Sequence, residues 1–205
     1  MTTCIDYYLA PQSPWTYLGH ARLAAAAKAA EATINVLPVD LGGRIFPVSG
    51  GLPLNQRAPQ RQAYRLTELE RWGKFLRIPL HVKPQYFPVG GDGAAKLIIA
   101  VGLHDGADAA MQITGAVLSA CWAQQRNIAS EAVMLELLAE CGLDAARLEQ
   151  SHSQTVHERY DANTQQAIAV NVFGSPTYVV DGEIFWGQDR LDFVQRTLQN
   201  RLQNQ

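Results

Sequence analysis

The sequence has no excess of positive charge: 17 Lys and Arg stand against 19 Asp and Glu, a formal charge of −2. With no run of five basic residues, it lacks the electrostatic footprint of a nucleic-acid binder. Nor does any stretch approach the roughly 18 consecutive apolar residues of a membrane span. Cysteine is scarce. Cys4, Cys121 and Cys141 are far apart, form no Cys-x-x-Cys pair and have no nearby histidine that would complete a zinc site. They read as inert thiols buried in apolar segments, and a reducing cytoplasm is the expected home. The first residues, Met1 to Asp6, lack a basic segment followed by an apolar one, so secretion is not expected. His20, His81, His104, His152 and His157 show neither metal nor triad spacing. No repeat of roughly 20–50 residues is visible, which argues against solenoids and propellers.

What is present is an ordinary globular composition, 47% apolar and 18% charged over 205 residues. At roughly 150 residues per domain this is a little more than one domain, large enough to fold without disulfides or a structural metal. Cys4 to Leu9, aromatic and β-branched, predicts a strand. Ser13 is a good N-cap and Pro14 suits the first helical position, so an Ala-rich helix follows to about Glu31. Thr33 to Leu41 predicts a second strand, and a β-α-β unit of this kind implies parallel pairing.

From residue 42 to about 150 the periodicity is helical, with helices expected near 60–77, 94–104, 107–126 and 130–141. A further helix spans about 153–171. Val172 to Val180 and Glu183 to Trp186 then form two strands joined by Asp181-Gly182, a strong hairpin signal. Asp189 suits the start of a last helix, with Leu191, Val194, Leu198 and Leu202 on its apolar face. The order predicts an α/β fold: a thioredoxin-like core, residues 1–41 and 151–205, with a large all-helical insertion, 42–150, between the second and third strands.

In such a unit the loop after the first strand ends at a helix N-terminus, where free N–H groups favour negative charge. Thiol oxidoreductases place Cys-x-x-Cys there, because that environment lowers a thiol pKa. Here Ser13-Pro14-Trp15-Thr16 has hydroxyls at both cysteine positions, which supply neither the thiolate nor the resolving thiol of disulfide exchange, so a dithiol oxidoreductase is disfavoured. Ser13 is therefore either only an N-cap or the donor that stabilises the thiolate of a bound thiol. Ser175-Pro176, just ahead of a strand, suggests a special peptide bond, and in a thioredoxin-like core a proline at this point is expected to be cis, facing the same helix end with the Ser175 backbone open to a peptide-like ligand. Asp189 is either an N-cap or a contact for an amino-acid-like group. Trp15, Tyr86, Phe87 and Trp186 are candidates for an aromatic acceptor pocket, against the alternative that they are core.

Taken together, Asp6-Tyr7-Tyr8, Ser13-Pro14-Trp15-Thr16-Tyr17-Leu18-Gly19, Arg77-Ile78-Pro79-Leu80, Val172-Phe173-Gly174-Ser175-Pro176-Thr177 and Phe185-Trp186-Gly187-Gln188-Asp189-Arg190-Leu191 resemble the 2-hydroxychromene-2-carboxylate isomerases and kappa-class glutathione transferases, DsbA-like thioredoxin folds. The resemblance spans essentially the whole chain. It implies glutathione as cofactor, with Ser13 on its sulfur, Ser175 and Pro176 along its cysteinyl backbone, Gln188 and Asp189 at its γ-glutamyl end, and Asn55 and Pro59 as further contacts. It also implies a small aromatic substrate, with Arg44, Arg57 and Arg61 as candidates for its carboxylate, and a homodimer. The activity implied is glutathione-dependent isomerisation of 2-hydroxychromene-2-carboxylate to a trans-benzylidenepyruvate. A broad glutathione transferase and a non-catalytic glutathione- or peptide-binding module are the alternatives.

Overall fold

The computed structural model describes residues 3–203, with side chains to Arg201. A four-stranded sheet runs in the order β2-β1-β3-β4, where β1 is Cys4–Leu9, β2 Thr33–Pro38, β3 Thr177–Val180 and β4 Glu183–Trp186. β1 pairs parallel with β2 and antiparallel with β3, and β3 pairs antiparallel with β4. The parallel pair is joined by α1, Pro14–Ala29, as the β-α-β pattern predicts. Ile5, Tyr7, Tyr8 and Leu9 of β1 are fully buried, because the strand lies inside the sheet with both faces covered. The hairpin turns at Asp181 and Gly182, both with positive φ.

Between β2 and β3 the described residues form no strand; the helices there are α2 Phe46–Ser49, α3 Pro59–Leu76, α4 Asp92–Asp105, α5 Ala107–Trp122, α6 Glu131–Glu140, α7 Ala146–Gln150 and α8 Gln154–Ala169. The last helix is α9, Leu191–Gln203. Three boundaries differ from expectation, each for a local reason. β2 stops at Pro38, after which the Val39 N–H makes a last bond to the Leu9 carbonyl at 2.9 Å and Asp40 accepts from the Gly43 N–H at 2.7 Å to open a π-turn over Leu41–Ile45. The strand predicted from Val172 begins only at Thr177, after a loop that runs through Pro176. Asp189 does not cap α9; it lies within a 3-10 turn, Gln188–Arg190, that leads into the helix.

One core lies under the sheet, where Leu23 and Ala27 of α1 meet Tyr7, Tyr178 and Phe185, with Leu191, Val194 and Leu198 of α9 behind them. Leu202 falls outside the described side chains. A second core joins α4, α5 and α6 around Trp122 and reaches the sheet through Val36 and α1 through Tyr17. Tyr17 also donates to the Pro79 carbonyl at 2.7 Å, so α1 belongs to both layers. Cys121 is buried and its thiol is pushed up to about 12 by desolvation, in keeping with an inert role. Cys4 departs from expectation: it opens β1 and is exposed.

Candidate active site

Everything specific about the site begins where β1 hands over to α1. Ser13 has extended backbone (φ −80°, ψ 124°), and its Oγ accepts from the Thr16 N–H at 3.3 Å. Pro14 has no N–H, and the Tyr17 N–H reaches the Ser13 carbonyl at 3.1 Å. Trp15 therefore keeps the one first-turn N–H without a partner among the described residues.

The Ser13 hydroxyl donates to the Ser175 carbonyl at 3.2 Å. The O–H···O bond to Ser175 is longer than the usual value of about 2.7–2.8 Å and the N–H···O bond from Thr16 longer than about 2.9–3.0 Å, so the group is positioned but lightly held. The Ser175-Pro176 peptide is cis, as expected. The Ser175 side chain fastens this loop to the helix: its Oγ accepts from the Ala10 N–H at 2.8 Å and shares a 2.8 Å bond with Thr16 Oγ1. Thr16 is wholly buried, so the position of a resolving cysteine is occupied by a structural hydroxyl.

The Pro176 carbonyl accepts from the Gly187 N–H at 2.9 Å, which brings the Gln188-Asp189 turn beside the cis peptide. Gly187 has φ +100°, backbone that other residues rarely adopt. Gly19 permits the close approach of that turn to α1, since a Cβ there would meet Tyr178 Oη at 2.6 Å and Gln188 Cβ at 3.0 Å. Gln188 is buried, and its Oε1 and carbonyl accept from Arg22 Nη1 at 2.8 and 3.0 Å. Asp189 is exposed and accepts from Arg190 at 3.1 Å.

The structure thus brings Ser13 into direct contact with Ser175, which the cis bond joins to Pro176, with Gln188 and Asp189 adjoining, though the Gln188 side chain is committed to Arg22. Asn55, in a 3-10 turn, and Pro59, at the start of α3, are both exposed on the approach to that helix. Of the four candidate aromatics, Trp15 is half-buried on α1 and Tyr86 is exposed. Phe87 packs on Trp122 at 4.8 Å between centroids, while Trp186 packs on Phe173 at the same separation, so these two rings belong to different clusters. Arg44 is paired with Asp161 at 2.7 Å. Arg57 donates to the Leu52 carbonyl at 2.8 Å, and Arg61 is exposed.

Three residues escaped the sequence reading. Gln12, next to Ser13, has a buried Oε1 with no hydrogen-bond partner. Phe173, on the loop carrying Ser175, shares with Trp186 an exposed aromatic ledge, the two rings 42% and 50% exposed. Arg65 stacks over Phe87 and Trp122. A buried amide beside a helix cap and an apolar residue two before Ser175 are legible only after the loops are brought together.

An N-capping hydroxyl set against the residue before a cis proline, at the end of a central strand, is a thioredoxin-type arrangement without the redox cysteines. Residues 4–199 match the model of the DSBA-like thioredoxin domain, and the chain belongs to that family. Within it, the chain is similar to the 2-hydroxychromene-2-carboxylate isomerase of Pseudomonas putida, 30% identical over 198 residues that cover 95% of this chain and 93% of that one. The isomerase of Sphingobium xenophagum is 29% identical over 199 residues, 97% of this chain and 99% of that one. Among solved structures, a 2-hydroxychromene-2-carboxylate isomerase superposes with TM-score 0.80 at 24% identity, covering 98% and 97% of the two chains. A cytosolic disulfide reductase, DsbM from Pseudomonas aeruginosa, solved with GSH, superposes with TM-score 0.70 at 19% identity, covering 98% and 99%.

Proposed function

We propose that this protein is an isomerase of 2-hydroxychromene-2-carboxylate-type aromatic acids and that it uses glutathione as its cofactor. The observation that carries the reading is the Ser13 hydroxyl, held over the N-terminus of α1 against the Ser175 carbonyl, in a chain similar over nearly its whole length to named isomerases. The residues present fit a peptide-like thiol. Trp15 offers an unpartnered N–H, Gln12 an orphaned buried oxygen, and the Ser175 carbonyl a second lone pair.

Ser13, Trp15 and the Ser175 backbone would hold glutathione, which would supply a thiolate as a reversible nucleophile toward the conjugated double bond. The part played by this chain is to keep a sulfur ionised at neutral pH. Ser13 Oγ–H would exchange its long bond to the Ser175 carbonyl for a charge-assisted one to sulfur, and the α1 N-terminus would add favourable potential. Each unit by which the thiol pKa falls corresponds to about 1.4 kcal/mol of thiolate stabilisation. The Phe173 and Trp186 ledge, beside the Ser175 loop, suits a planar aromatic acceptor.

The test is conversion of 2-hydroxychromene-2-carboxylate, followed by ultraviolet absorbance with and without glutathione. Turnover that requires glutathione, and that is inhibited but not supported by S-methylglutathione, supports the proposal. An equal rate without any thiol refutes the cofactor, and no conversion under either condition refutes the activity.

A further inference from the structure

Arg22, Arg44, Arg71, Arg126, Arg147 and Arg190 each meet a carboxylate within 3.3 Å. Three that gather around the start of α3 do not. Arg57 precedes the helix, and Arg61 and Arg65 follow on it one turn apart. Among the described residues none of the three forms an ion pair, and the side chains of Arg61 and Arg65 have no hydrogen-bond partner.

Arg65 is half-buried, its guanidinium carbon 5.2 Å from the Phe87 ring centroid and 5.7 Å from that of Trp122. The indole N–H of Trp122 is itself buried without an acceptor. Desolvation, and then the neighbouring Arg57, pull the Arg65 guanidinium down to about 10, while desolvation and Arg61 lower Arg57. A partly desolvated cation beside others of its sign is unfavourable unless an anion completes the arrangement. Aromatic faces at 5–6 Å compensate only in part.

The cluster is also joined to α1 through the helical core. Phe87 and Trp122 share their core with Tyr17, one turn beyond Ser13 on α1, and Tyr17 is tied to Pro79. α3 packs directly against α1.

We propose that Arg65, supported by Arg57 and Arg61, is a carboxylate-binding subsite that orients an aromatic acid through a guanidinium backed by Phe87 and Trp122. The inference rests on the isomerase reading for the identity of the acid, and the same chemistry would also receive the glycyl carboxylate of glutathione. It adds to the reaction a residue that fixes which end of the substrate enters.

Equilibrium binding separates this from turnover. Titration calorimetry with trans-cinnamate and cinnamamide would be run on the wild type, Arg65→Met and Arg65→Lys. Methionine keeps an apolar layer over the rings and lysine keeps the charge, so at least one of the two variants retains the fold, as checked by circular dichroism. Loss of one charge-assisted pair predicts cinnamate binding weakened about 10- to 100-fold in Arg65→Met, with cinnamamide unchanged. Arg65→Lys falls in between, because an ammonium lacks the bidentate fork.

A parallel titration compares S-methylglutathione with its glycyl ester. If Arg65→Met weakens only the free glycyl acid and leaves cinnamate unaffected, the subsite serves glutathione. If both variants bind every carboxylate as the wild type does, or the wild type shows no preference for either acid over its neutral analogue, the subsite is refuted. Failure of the isomerase reading would show separately, as absent turnover with Arg65 intact.

Discussion

The bond network under the cis peptide makes a quantitative demand. Ser175 Oγ accepts from the Ala10 N–H and bonds Thr16 Oγ1, both at 2.8 Å, and Ser175 and Thr16 are 7% and 0% exposed. Ser175→Ala strands the Ala10 N–H in a dry environment, a loss of about 1–3 kcal/mol. The Thr16 hydroxyl retains the option of its own helix's carbonyls and adds less. The expected destabilisation is thus about 2 kcal/mol, which for a chain of this length lowers Tm by about 4–8 °C. Urea unfolding measures it, and an unchanged m-value would show that both variants unfold from equally compact states. Thr16→Val leaves the Ala10 bond intact and should cost less than Ser175→Ala. A loss below about 0.5 kcal/mol in Ser175→Ala would refute the claim that this hydroxyl fastens the loop to the helix.

Two further predictions concern the same frame. His20 bonds the Met111 carbonyl at 3.0 Å and Tyr7 Oη at 3.3 Å, and burial lowers its pKa to about 4 from an ordinary value near 6.5. Between those values the unfolded chain binds the extra proton, so stability falls as pH falls, by about 2 kcal/mol from pH 7 to 5. His20→Gln should flatten that slope in urea titrations at the two pH values, and an unchanged slope would contradict a neutral buried imidazole. Gly187→Ala forces φ +100° on a residue with a Cβ and drives that carbon to 2.5 Å from Asp189 Oδ1, displacing the turn from Pro176. Glutathione affinity measured by calorimetry should drop with it, whereas unaltered affinity would separate this turn from the ligand site.

The α1 cap was legible because its chemistry is local: Ser13 and Pro14 are adjacent and each satisfies a rule of helix initiation. The hairpin at Asp181-Gly182 was legible for the same reason. Ser175-Pro176 was readable as cis from its place before a strand, but Phe87-Pro88, also cis, sits among irregular backbone with no comparable frame. Arg65 was invisible in the sequence. It repeats at helical spacing among charged neighbours, and nothing nearby announces that Phe87 and Trp122, from a loop and from the end of α5, meet beneath it. Gln188 shows the converse limit: the resemblance named it as a ligand contact, but its commitment to Arg22 depends on how Gly19 lets the turn pack on α1. The expected pocket of four aromatics divided for a similar reason, since Trp122 and Phe173 offered closer partners to Phe87 and Trp186 than these offer one another.

The central claim is that Ser13 and the α1 N-terminus hold a bound thiol as thiolate. Thiolate absorbance near the ultraviolet edge, titrated against pH for glutathione with wild-type protein and with Ser13→Ala, reads that directly. The account predicts a bound pKa below that of free glutathione, moved back toward the free value in Ser13→Ala by roughly one unit, the equivalent of about 1.4 kcal/mol, with glutathione still bound. A wild-type pKa equal to that of free glutathione, or a depressed value unchanged by removal of the Ser13 hydroxyl, would contradict it.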